Sequence, residues 1–164
     1  MKRLLLLRHA KSNKHFLGMQ DFDRPLNDRG VTSASLIGKY IGKKGIQVGL
    51  VLSSPAERAR QTAELVVKTA GVAAELRFDE RIYEASSTQL QNVIRQIDPE
   101  VSVALLVGHN PGFEDLQTAM TGQHRQMPTA TLACLSLDIE KWSDIREQSG
   151  ELKWMITPKE LEDV

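Results

Sequence analysis

The sequence predicts an α/β fold, a three-layer α/β/α sandwich around a mostly parallel sheet. Three observations lead there. Apolar runs of strand length alternate along the chain with stretches of helical periodicity. Three of those runs, LLLL (4–7), VGLVLS (48–53) and SVALLV (102–107), are nearly continuous, the pattern of strands covered on both faces. Each gives way at once to polar residues capable of chemistry, in RHAKS, SPAERAR and GHNPG.

Taken in order, residues 2–7 read as a buried strand and are followed by a polar stretch to about Asn27. A helical pattern then runs from Asp28 to Lys44 with Ala34, Ile37 and Ile41 on one face, although Gly38 and Gly42 weaken its second half. After the strand at 48–53, Ser54-Pro55-Ala56-Glu57 has the form of a helix start. Ser54 would cap, Pro55 would take the first helical position and Glu57 would complete a capping box. Gly71 suits the left-handed end of that helix. Residues 75–78 look extended. Leu90, Val93, Ile94 and Ile97 give an amphipathic stripe stopped at Asp98-Pro99. Beyond 102–107, Phe113, Leu116 and Met120 mark a short helix, and residues 129–137 and 151–156 read as terminal strands. The polar, acidic TPKELEDV ending is expected to fray. No repeat or interior linker divides the sequence, which reads as one domain, 1–164.

Composition narrows the function. Twenty-one basic residues balance twenty-one acidic ones, so no overall field favours nucleic acid or an anionic membrane. Any anion site must come from a local cluster. The longest apolar run is too short for a membrane span or a signal-peptide core. The single cysteine, Cys134, allows neither an internal disulfide nor a cysteine metal site, which suits a reducing cytoplasm.

Ligands of open α/β sheets bind beyond the carboxyl ends of the strands, and right-handed crossovers keep parallel strand ends on one edge. Arg8, His9, Arg58, His109 and Asn110 would therefore converge. Two arginine forks match phosphate oxygens, and the helix start at Ser54-Pro55 adds backbone amides. A histidine among cations is held neutral, with a nitrogen free to attack. The chemistry implied is phosphoryl transfer to histidine. Singly, each residue reads as a surface charge or a loop histidine, as His15 and His124 do, and physics alone does not separate Arg58 from Arg60. The joint pattern carries the inference.

LRHAKS, DFDRPLNDRG, SSPAERARQTAE and VGHNPG, in this order and spacing, resemble the histidine phosphatase superfamily, and its SixA-like phosphohistidine phosphatase branch most closely. The resemblance implies a phosphoglycerate mutase-like fold with no large cap insertion. It implies His9 as the nucleophile, Arg8 and Arg58 as phosphate clamps, His109 as the second histidine and Arg24 as a pocket arginine. Asn110 and Lys11 would stand at the rim. The usual Arg-His-Gly is Arg-His-Ala here, with Ala10 after the nucleophile. Many relatives carry a general acid after the third strand; Glu80 matches it by spacing, with Glu84 as the alternative. The expected activity is a metal- and cofactor-independent phosphatase that hydrolyses phosphohistidine in proteins or another phosphomonoester. An open site would admit a phosphorylated side chain and hold small esters poorly. Two rivals are a metal-dependent hydrolase using both histidines as ligands and a non-catalytic phosphate-binding module.

Overall fold

The computed structural model describes residues 1–13 and 18–162, so His15 lies outside the described residues. The strands are β1 (Lys2–Arg8), β2 (Leu50–Ser53), β3 (Glu75–Phe78), β4 (Val103–Gly108), β5 (Leu132–Leu137) and β6 (Gly150–Ile156). The helices are α1 (Asp28–Lys43), α2 (Glu57–Ala70), α3 (Ser87–Arg95), α4 (Gly112–Thr121) and α5 (Pro158–Glu162).

One sheet runs β3-β2-β4-β1-β5-β6. The pairs from β3 to β1 are parallel, whereas β5 is antiparallel to both β1 and β6, so the sheet is mixed. The expected mostly parallel character belongs to its β3-to-β1 side. The more alternating late strands form the antiparallel side, where β6 keeps half-buried and exposed positions in turn.

The apolar run of β1 is explained by the two layers of helices. Leu4 and Leu6 pack with Leu90, Ile94, Leu116 and Met120 of α3 and α4. Leu5 and Leu7 pack on the other face with Ile37 and Ile41 of α1 and Ala63 and Val66 of α2. All four leucines are fully buried, each contributing about 1.5–3 kcal/mol. A strand alternating between two cores has no face left for a polar residue.

Two local expectations are corrected. Helix α2 starts at Glu57 behind Ala56, and no side chain caps it. The Ser54 hydroxyl accepts the Ala56 N–H at 3.2 Å and pairs with His109, while Glu57 is drawn into an ion pair with Arg60. The expected capping box is therefore absent. At the other end of the chain, 158–162 is helical: Pro158 opens the turn and Glu160 accepts from the Thr157 N–H and hydroxyl. Gly71 ends α2 in the left-handed conformation, as its position suggested, and Asn27 caps α1 through the Gly30 N–H at 2.9 Å.

Candidate active site

Each element at the carboxyl edge delivers one group. β1 runs out at Arg8 with His9 next, β4 at Gly108 with His109 next, and α2, behind β2, supplies Arg58 from its first turn. The register places Arg8 opposite Gly108, so the two histidines leave neighbouring strands side by side. Their ring centroids are 5.1 Å apart. Arg58, only 6% exposed, turns inward, whereas Arg60, two residues on and across the helix, is bonded to Glu57 and Glu64 at the surface. The structure thus separates the two arginines.

His9 is fixed in one tautomer by partners that leave no choice. The Ala10 carbonyl, which only accepts, lies 2.8 Å from Nδ1, so Nδ1 carries the proton. Arg58 Nε, which only donates, lies 3.4 Å from Nε2, which therefore presents its lone pair. That long contact leaves the lone pair weakly engaged. Burial lowers the His9 pKa, and His109, Arg58 and Arg8 lower it further, to about 3, against the opposing Ala10 hydrogen bond. The Ala10 N–H donates to Thr62 Oγ1 at 3.0 Å, and Thr62 in turn donates to the Arg58 carbonyl. One threonine thereby ties the His9 segment to the helix turn that carries Arg58.

His109 Nε2 lies 2.8 Å from Ser54 Oγ, and its Nδ1 is buried with no partner among the described residues. Burial, followed by the charge of Arg58, lowers its pKa to about 4 despite Asp21. Arg8 donates through Nη1 to the Met127 carbonyl at 3.1 Å, and its buried Nε has no partner among the described residues. Burial also lowers the Arg8 pKa, with Glu114 opposing and Arg58 reinforcing. The site thus holds buried polar atoms with no partner among the described residues, a condition that an anion with several oxygens relieves for the donors.

Asp21, Tyr83 and Thr62 join the site without having been singled out by sequence, and Ser54, expected as a helix cap, joins it through His109. Asp21 accepts from Arg58 through its carbonyl at 2.8 Å and its Oδ2 at 3.1 Å, from the Tyr83 hydroxyl at 2.7 Å, and from Arg24 Nε at 3.1 Å. Partial burial pushes its pKa up, but Tyr83, Arg58 and Arg24 together hold it at about 2. Arg24 is thereby tied to the Arg58–Asp21 group, and it also donates to Ser12 Oγ and the Asn13 carbonyl. Only the i, i+3 spacing of Asp21 and Arg24 hinted at this in the sequence. Tyr83 left no signal there.

Other expected residues stand differently. The Asn110 amide nitrogen donates to Glu114 Oε2 and the Met127 carbonyl, so it braces the segment on which Arg8 rests. Glu80 opens a short 3-10 turn after β3; it is exposed, and no hydrogen bond or ion pair joins it to His9, Arg58 or His109. Glu84 is exposed beside Tyr83, and its charge helps raise the pKa of that hydroxyl, after burial and Asp21. Lys11 is exposed, and His124 lies on the surface near Glu114. Among the described residues no group of three His, Cys, Asp or Glu side chains is arranged to hold a metal, and no helix is long and apolar enough to cross a membrane.

Residues 4–106 match the model of the histidine phosphatase superfamily (branch 1), a stretch that holds Arg8, His9, Arg24 and Arg58 and stops short of His109. The chain belongs to the histidine phosphatase superfamily. Within reach of this superfamily member is an uncharacterized protein of Mycobacterium tuberculosis (strain H37Rv), 38% identical over 93% of this chain and 100% of the relative. The SixA protein of Agrobacterium tumefaciens, a candidate phosphohistidine phosphatase, is 30% identical over 96% of this chain and 98% of its own, with a TM-score of 0.83. The protein histidine phosphatase SixA in complex with tungstate shares the fold at a TM-score of 0.84, with 21% identity over 97% and 99% of the two chains. The phosphoglycerate mutase-like architecture of this histidine phosphatase superfamily chain is thus shared along nearly its whole length.

Proposed function

We propose that this protein is a phosphatase that works through a phosphohistidine intermediate on His9 and takes phosphohistidine in proteins as its substrate. The observation that carries this is the fixed His9 tautomer, with the Nε2 lone pair facing Arg58 in a cationic pocket. In the first step Nε2 attacks phosphorus in line and the bond to the leaving group breaks, its electron pair going to the leaving atom. Arg8, Arg58 and His109 take up the charge on the equatorial oxygens. The Nδ1–H of His9 releases into the Ala10 carbonyl some of the positive charge that develops on the ring. In the second step water attacks the phosphorus of phospho-His9, the P–N bond breaks with its electron pair returning to Nε2, and the water's second proton passes to a phosphate oxygen, giving dihydrogen phosphate and neutral His9.

The leaving group decides how much acid catalysis is needed. An imidazole protonated on its other nitrogen departs as a neutral base and takes no proton from the enzyme. An ester leaves as an oxyanion and calls for an acid, the role that Glu80 or Glu84 would fill. Asp21, held at about 2, stays ionised and is unsuited to donate. The exposed position of Glu80 therefore favours the phosphohistidine substrate over esters.

A substrate panel of a phosphohistidine protein, an aryl phosphate, sugar phosphates and nucleotides, run on the wild type and on His9→Ala, tests the reading. Phosphohistidine is expected to lead by kcat/KM, with turnover undiminished in excess chelator. His9→Ala is expected to lose about three orders of magnitude or more. Retained activity in His9→Ala, preference for the small esters, or loss in chelator restored by metal would each contradict it.

A further inference from the structure

The two flanks of the site differ in charge. On the β3 side the arginines near the site already have acidic partners: Arg58 and Arg24 share Asp21, and Arg81 pairs with Asp79 at 2.7 Å. On the β6 side a groove of about 410 Å³ opens at the same edge of the sheet, among the first turns of α1, residues 128–129 and α5. Lys11, Arg29 and Lys159 stand around it, with Ser33 and Thr129 as further polar side chains and the Thr157 hydroxyl already given to Glu160. None of the three cations is ion-paired with a described residue. Among the described residues Glu162 is the groove's one lining carboxylate, and nearby Glu160 is turned onto Thr157.

The distance to the phosphate pocket selects the kind of ligand. Leu7 lies beside Leu132, and Leu132 beside Ile156, so the end of β6 is two strand spacings from the end of β1, roughly 10 Å. Lys11, two residues beyond His9, borders the near side of the groove. A small phosphate ester held at His9 does not reach that far. About three residues of extended polypeptide do. Among the described residues the charged side chains of the groove are unbalanced toward positive charge, offering partners for carboxylates and repelling basic chain.

We propose that this groove docks an acidic stretch of polypeptide beginning about three residues from the phosphorylated side chain that enters the His9 pocket. The proposal rests on the phosphatase reading above for the second half of that statement. Acidic chain is directed to the β6 flank because the arginines of the β3 flank are already engaged by Asp21 and Asp79.

Two synthetic phosphohistidine peptides test it, identical except for glutamates or glutamines placed from the third residue outward on both sides. At low ionic strength the wild type is expected to prefer the glutamate peptide by about tenfold in kcat/KM. The Arg29→Glu/Lys159→Glu double variant and about 1 M salt are both expected to abolish that preference. The ratio to p-nitrophenyl phosphate turnover separates lost docking from lost catalysis. Equilibrium binding of both peptides to the His9→Ala protein reads docking without turnover and is expected to give the same order. Equal affinities for the two peptides, or a preference that survives the charge reversal, would overturn the docking site. Hydrolysis of neither peptide, with the order of binding intact, would instead overturn the phosphohistidine reading and leave the groove standing.

Discussion

His9 and His109 are two imidazoles made neutral by where they sit. Burial and neighbouring cations lower them to about 3 and about 4, well below the free value near 6.5. Two consequences follow from the sign of those shifts. The kcat/KM profile, corrected for ionisation of the substrate phosphate, should stay level from about pH 8 down to about 5 and fall only nearer 4. A limb near 6.5 would show that the histidines are not held as described. Folding responds in the same direction. The unfolded chain takes up protons on both histidines below about 6.5, while the folded chain resists until about 3 to 4. Stability contributed by the neutral pair is thus fully present above about 6.5 and declines as pH falls through that window. Thermal unfolding across pH 4–7 should show the decline, and a His9→Gln/His109→Gln protein should show a shallower one. At this scale the sequence pointed to Arg8, His9 and His109, because they sit where strands end, and to Arg58 over Arg60 only through the family resemblance. It concealed Asp21, Tyr83 and Thr62, and the pairing of Ser54 with His109. Their roles depend on contacts between segments far apart in the chain, such as the Tyr83 hydroxyl on Asp21.

Among the elements, α1 and α2 show most clearly how a local signal is overruled by packing. Gly38 and Gly42 weaken α1 by propensity, yet the helix continues to Lys43. A Cβ at Gly38 would strike Thr69 Oγ1 and come within 2.9 Å of the Val66 carbonyl; one at Gly42 would lie 2.9 Å from the Ala70 carbonyl. The two glycines are the surface on which α1 crosses the backbone of α2. Gly38→Ala should therefore destabilise the protein by about 1–3 kcal/mol in denaturant unfolding, despite alanine's better helix propensity. A neutral or stabilising effect would mean the helices are free to separate. Because α2 carries Arg58, some loss of kcat is expected to accompany the loss of stability. Propensity reads one residue at a time, which is why Ser54-Pro55 also suggested a capped helix start. The competing partner, His109, comes from β4 and was invisible to local reading.

Over the whole molecule, the alternation of buried strands with amphipathic helices made the sandwich legible in the sequence, and the family signature agreed with it. The antiparallel β5–β6 flank was less legible, since strand direction is decided by which neighbours a segment meets. That flank matters for function. It places α5 and Thr157 beside the outlet of β1, so that a phosphate pocket and an exposed cationic groove share one edge. On the proposed reading, a single sheet edge holds a neutral nucleophile, its clamps and a surface suited to a protein partner. The central claim is that His9 Nε2 carries the phosphoryl group between the two steps. Rapid quenching of enzyme with a phosphate-labelled substrate in alkali, followed by peptide mapping, tests it most directly. The account predicts an alkali-stable, acid-labile phosphate on the peptide containing His9, absent from His9→Ala; turnover with no phosphate on His9 would contradict it.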